Sequence, residues 1–216
     1  MRPHASRQRS VATLARQAIT TYTDQDSLLL DPICGSGDIL VEAVRAGRMA
    51  IGVEHEPYWV DMARTRIERA TDSGRGGFAA VVNGSVDTLV RMLAGEDRSD
   101  RASMVLTAPQ TGTTLRADDE GTASNIAEFI AGSVSSVSRC TQVTAAQSLH
   151  GVICWPVPSI DIPWAIEEVL TAVGFTLVDR QTVGSTSVSL LLLNRPDMGP
   201  TMPERVDQVD FSGLDR

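Results

Sequence analysis

Asp31-Pro32-Ile33-Cys34-Gly35-Ser36-Gly37-Asp38 follows the apolar run Leu28-Leu29-Leu30 and leads into Ile39, Leu40, Ala43 and Val44 at helical spacing. A strand that ends in a glycine turn and opens a helix lets a small ligand touch backbone. The next apolar run, Met49 to Val53, closes on Glu54, 17 residues beyond Gly37. That is close to the spacing at which strand-turn-helix-strand units present a carboxylate to a ribose. The pattern implies an adenosine-containing ligand. A pyrophosphate-binding turn needs a third glycine where this chain has Leu40, which disfavours NAD and FAD. Gly35-Ser36-Gly37-Asp38 also lacks the lysine of a phosphate-cradling loop, which disfavours ATP. An adenosine with a sulfonium arm in place of a phosphate chain fits the residues better.

Asp31 to Ala43, with Gly47-Arg48-Met49-Ala50-Ile51-Gly52-Val53-Glu54, resembles the S-adenosylmethionine site of class I amino-methyltransferases that modify exocyclic amines in DNA, the N4-cytosine and N6-adenine enzymes. The similarity is specific over Leu28 to Ala70 and weaker beyond it. It implies that Asp31 and the amides of Gly35 to Gly37, with Pro32, Cys34 and Ser36 completing the turn, line the methionine part of S-adenosylmethionine. Glu54 accepts from the ribose hydroxyls in that reading, although a plain surface acid at a strand end stays open. His55 is a solvent-facing neighbour of the cofactor. Ser85, in Asn83-Gly84-Ser85, falls where the family usually has an aspartate that reads the adenine amine, so that contact is expected to be weak.

Alternating apolar runs and helical stripes argue for a mostly parallel sheet covered on both faces. The pattern predicts helices over 11–22, from the glycine turn to Gly47, from Pro57 with Val60, Ala63, Ile67 and Ala70 inward, and over 86–93, 122–139 and from Pro163 to Gly174. Strands are expected over 27–32, 49–54, 78–82, 102–108, 149–155, 175–183 and 187–194, the last two paired antiparallel. Seven strands are what the resemblance implies: a Rossmann-like, doubly wound α/β sheet whose last strand is antiparallel. Residues 1–195 read as one methyltransferase domain. Residues 196–216, with little apolar content, read as a mobile tail.

The resemblance also shows where this chain departs from its family. Such enzymes carry Asp, Asn or Ser, then Pro-Pro, then an aromatic after the fourth strand; here the stretch is Thr107-Ala108-Pro109-Gln110-Thr111. The motif's task is to accept hydrogen bonds from the target amine and to stack on an extruded base. Ala108 has no polar atom and Thr111 no ring. Ala108, Pro109 and Gln110 thus mark a degenerate catalytic position. Thr107 or Gln110 could supply an acceptor, and Trp155 a stacking face, although Trp155 reads equally as packing. Trp59 and Trp164 read as packing residues on helices, and residues 110–121 as a polar loop able to form a lid. His4, His55 and His150 have no ligand or triad spacing.

With 216 residues, 42% hydrophobic and 21% charged, the composition suits a single compact domain. No apolar run is long enough for a membrane span and no signal-like segment opens the chain, so a cytoplasmic location is expected. Cys34, Cys140 and Cys154 form no Cys-x-x-Cys, and neither a disulfide framework nor a metal site is expected. A net charge of −8 argues against gripping a duplex over a large surface. Arg2, Arg7, Arg9 and Arg16 precede the first acid, Asp24, and leave a weak hint of phosphate contact. The expected partner is therefore DNA, reached directly or through another protein, with a small amine still open as substrate. Two functions follow: an N-methyltransferase whose activity the degenerate motif leaves open, or a methyltransferase-like protein that binds S-adenosylmethionine in a regulatory or partner-binding role.

Overall fold

A computed structural model describes residues 3–72, 76–94, 102–109, 122–157, 160–183 and 188–194. Strands β1 (Leu28–Asp31), β2 (Met49–Glu54), β3 (Phe78–Asn83), β4 (Ala102–Thr107), β5 (Thr144–Cys154), β6 (Thr176–Val183) and β7 (Val188–Asn194) form one sheet in the order β3-β2-β1-β4-β5-β7-β6. The first five run parallel, and β7 is antiparallel to both β5 and β6. The strand order reverses between β1 and β4, which opens a crevice beyond their carboxyl ends.

Helices α1 (Pro3–Tyr22), α2 (Asp38–Arg45) and α3 (Pro57–Thr71) cover one face, and α4 (Val86–Leu93), α5 (Thr122–Cys140) and α6 (Ile162–Ala172) the other. Burial on both faces explains why the strands read as continuous apolar runs. Leu29, Met104, Leu106, Ile153, Leu190 and Leu192 face the α1–α3 layer. Leu30 and Val105, with Val152, Cys154, Leu191 and Leu193, face the opposite layer. Edge strand β6 alternates exposed and half-buried positions instead. Among the described residues no helix is long and apolar enough to cross a membrane, and no group of three His, Cys, Asp or Glu is placed to hold a metal.

Local chemistry sets the element boundaries nearest the crevice. Pro57 stands in the first turn of α3, where its missing N–H costs nothing, and Val60, Ala63, Ile67 and Ala70 are the buried stripe. Gly174 ends the α6 segment at φ +94°. Two boundaries differ from the sequence expectation by more than two residues. The first helix begins at Pro3, well before Val11, and β5 begins at Thr144, ahead of Leu149. The extra part of β5 pairs Thr144 with Ala102 across a register shift in the β4 ladder, so tertiary pairing makes a strand of residues with no alternating pattern. Trp59 and Trp164 also depart from expectation, being 39% and 43% exposed on the outer sides of their helices.

Candidate cofactor and catalytic site

Asp31 ends β1 with 2% of its surface exposed. Burial pushes its carboxyl up to about 7, because a charge taken out of water is disfavoured. Asp38 and Glu54 add to the rise, while the facing Thr107 hydroxyl and the Ile33 amide, 3.3 Å from Oδ1, oppose it. The Thr107 hydroxyl is itself completely buried, and its oxygen closes no hydrogen bond of normal geometry among the described residues. A buried hydroxyl that faces a buried carboxyl without closing a good hydrogen bond leaves acceptor capacity on both, which suits a ligand that carries N–H groups.

The chain after Asp31 folds into the expected turn. Gly35 and Gly37 take φ of +50° and +77°, and Gly37 caps α2. A Cβ on Gly37 would lie 3.0 Å from Ala63 Cβ, so both conformation and the approach of α3 require glycine there. Gly52, on β2 beneath the turn, is needed for space: a Cβ would come within 2.8 Å of Cys34 Cβ. Cys34 is buried, and burial raises its thiol far above the ordinary value, with Asp31 and Glu54 adding to the effect. It fills space as a neutral side chain and is no nucleophile.

Glu54, 6% exposed, ties the turn to the next strand. Its Oε2 accepts from the Gly35 amide at 3.0 Å. Oε1 accepts from the amides of His55 at 2.8 Å and Glu56 at 2.9 Å, and His55 Nδ1 lies 3.1 Å away. The His55 ring is 77% exposed, the solvent-facing position expected for it. The end of β3 is stitched to the same corner. Asn83 Nδ2 donates to the carbonyls of Glu54 and His55, each at 3.0 Å, and the Gly84 amide to Glu54 O at 3.0 Å. Ser85 is exposed at the start of α4, its amide 3.4 Å from Thr88 Oγ1.

At the carboxyl end of β4, Ala108 is partly buried and Pro109 buried, while Gln110 and Thr111 lie outside the described residues, as does the whole 110–121 loop. Trp155, at the end of β5, is 7% exposed and belongs to the core on the α1–α3 side. Pro32 and Ser36 sit in the turn with Asp31, Cys34, Gly35 and Gly37, so the sheet brings the expected cofactor residues to one end of β1–β3. Thr107 and Ala108 stand across the reversal point. Two contributors escaped the sequence reading: Asn83, whose amide bridges two carbonyls, and Arg66, which reaches the turn from α3.

A family model described as DNA methylase matches residues 8–65, from α1 into α3. No curated protein matches the chain. Among solved structures, TrmN from Thermus thermophilus is similar at TM-score 0.57 and 17% identity, over 90% of this chain and 54% of that one, so the chain spans about half of TrmN. The magnesium protoporphyrin IX methyltransferase ChlM from Synechocystis PCC 6803, with bound SAM, gives 0.60 at 13% identity over 88% and 80%. A putative rRNA-methylase from Clostridium thermocellum gives 0.56 at 10% identity over 86% and 97%. The fold is the Rossmann-like fold of these methyltransferases. The matched segment, from α1 into α3, is similar to DNA methylases over residues 8–65.

Proposed function

We propose that the chain is an S-adenosylmethionine-dependent methyltransferase acting on an exocyclic amine of a nucleic-acid base. The observation that carries the reading is the corner where the buried Glu54 carboxylate meets the glycine turn. Asp31 and the glycine turn from Gly35 to Gly37 line the amino-acid end of the cofactor, and Glu54 the ribose hydroxyls. His55 and Ser85 flank the adenine side. The Asp31 carboxyl, with acceptor capacity left beside the Thr107 hydroxyl it faces, fits a ligand with an ammonium group. When bound, S-adenosylmethionine supplies a methyl carbon on a sulfonium, open to in-line attack by an amine lone pair.

The chain's own task is then to hold that amine, a positioning effect able to contribute several kcal/mol. The backbone at Ala108-Pro109 and the hydroxyl of Thr107 are the groups near enough to the reversal point, with Gln110 and Thr111 as further substrate contacts, whereas Trp155, buried in the core, packs. Nucleic acid is favoured as substrate by the DNA-methylase match, and the net charge of −8 favours delivery through a partner protein. A second reading has one observation behind it. Ala108 carries no polar atom where an acceptor is needed, which favours a protein that binds the cofactor without transferring its methyl group.

The test is transfer of a tritiated methyl group from S-adenosylmethionine to duplex DNA, single-stranded DNA, RNA and small amines. Label in a base amine supports the first reading. Cofactor binding with no label in any acceptor favours the second, and label only in a non-nucleic acceptor overturns the substrate assignment.

A further inference from the structure

In sequence, Arg66 is one of three arginines, with Arg64 and Arg69, that look like the wet side of α3. The fold gives it a different position. Its Nη1 donates to the carbonyl oxygen of Ser36 at 2.9 Å and to Ser36 Oγ at 2.8 Å, and Nη2 donates to Asp38 Oδ1 at 2.5 Å. Ser36 Oγ in turn donates to Asp38 Oδ2 at 3.1 Å, and Ser36 is 4% exposed. Arg64, two residues earlier, reaches the Val81 carbonyl and Asp61 instead.

We propose that Arg66 is a positioning residue for the cofactor turn. The proposal rests on the cofactor reading above. A turn built on two left-handed glycines has little stiffness of its own, because glycine leaves that region as easily as it enters. Two clamps hold it here. Glu54 takes the Gly35 amide at one end. Arg66, by holding the Ser36 carbonyl, fixes the plane of the Ser36–Gly37 peptide, whose amide also closes on Cys34 O at 2.8 Å. Charge-assisted forked contacts of this kind are strong and directional. The division of labour has a consequence: Glu54 serves the ribose side, whereas Arg66 serves the part of the turn that meets the amino-acid end. Loss of Arg66 therefore discriminates between ligands that have that end and ligands that lack it.

The experiment compares Arg66→Met and Arg66→Lys with the parent, titrating S-adenosylhomocysteine and 5′-methylthioadenosine, which lacks the amino-acid end. Arg66→Met is expected to weaken S-adenosylhomocysteine about tenfold or more while methylthioadenosine stays within about twofold, and Arg66→Lys to recover part of the loss. Equal losses for both ligands would reduce Arg66 to a general structural role and overturn the proposal, as would no loss. Amide hydrogen exchange in the ligand-free protein gives a second readout. Ser36 and Gly37 amides should exchange about tenfold faster in Arg66→Met while the interior of α3 stays protected; unchanged exchange overturns the clamp. A parent that binds neither ligand refutes the cofactor reading, and the exchange result then decides the clamp separately.

Discussion

At the carboxyl ends of β1 and β2 the polar groups are closely engaged: Glu54 accepts from three backbone amides, and Ser36 and Asp38 share one guanidinium. Across the reversal point, at the end of β4, the buried Thr107 hydroxyl faces Asp31 without completing a hydrogen bond of normal geometry, and a methyl group stands where the amino-methyltransferases that the sequence resembles place a polar side chain. The first region is preorganised by its own backbone and needs only a ligand to complete it. Among the described residues the second offers no side-chain acceptor at Ala108. In the proposed reading, cofactor cradle and reaction centre are thus separable properties of one sheet, resting on different strands.

The largest expected effect comes from rebuilding the weaker side. Ala108→Ser, Gln110→Pro and Thr111→Tyr together restore an acceptor and a stacking ring, worth about 2.7–4 and about 1–3 kcal/mol. If these add, methyl transfer to a base amine rises roughly three to five powers of ten. Cofactor affinity should not move. A rate assay with the triple variant that shows no gain would remove the contrast between the two regions.

Breaking the stronger side comes next. Glu54→Ala removes the acceptor of the Gly35, His55 and Glu56 amides together with the carboxylate that meets the ribose, a charge-assisted set of contacts. Titration should show cofactor affinity down roughly 100-fold or more, with a lower melting temperature. An unchanged affinity would mean that the carboxylate serves the fold alone.

Asp31 sharpens the comparison through pH. Its carboxyl titrates near 7 in the fold and near the ordinary carboxylate value once unfolded. Its contribution to stability is therefore complete below about 4 and is lost as pH rises through about 7. Asp31→Asn has no charge to bury, so in ligand-free melts it should match the parent near pH 4 and exceed it at pH 8. The same variant should bind S-adenosylhomocysteine about tenfold more weakly at pH 8, because a neutral amide attracts an ammonium less than a carboxylate does. A melting difference independent of pH would contradict the burial argument. The smallest effect belongs to His55→Ala: with the ring 77% exposed, affinity should stay within about twofold.

Much of this was legible in the residues. β2, α3 and α4 have the bounds expected from Met49–Glu54, Pro57 and Val86–Leu93, because each is fixed by a local signal: an apolar run, a first-turn proline or an amphipathic stripe. The early start of α1 was not, since 3–10 are largely polar and carry no stripe. Nor was the start of β5, which depends on a partner strand distant in sequence. Within the site, glycines and a carboxylate at fixed spacing announce themselves. Arg66 does not, because an arginine on a charged helix looks the same whether it meets water or a turn 30 residues away.

The central claim is that the corner of Asp31, Gly35–Gly37 and Glu54 is a cradle for S-adenosylmethionine. Calorimetric titration of the full chain with S-adenosylhomocysteine, with NAD as comparison and Glu54→Ala as control, tests it most directly. The account predicts saturable binding of S-adenosylhomocysteine that is lost in Glu54→Ala, and none of NAD. Heat from NAD alone, or from neither ligand, would contradict it.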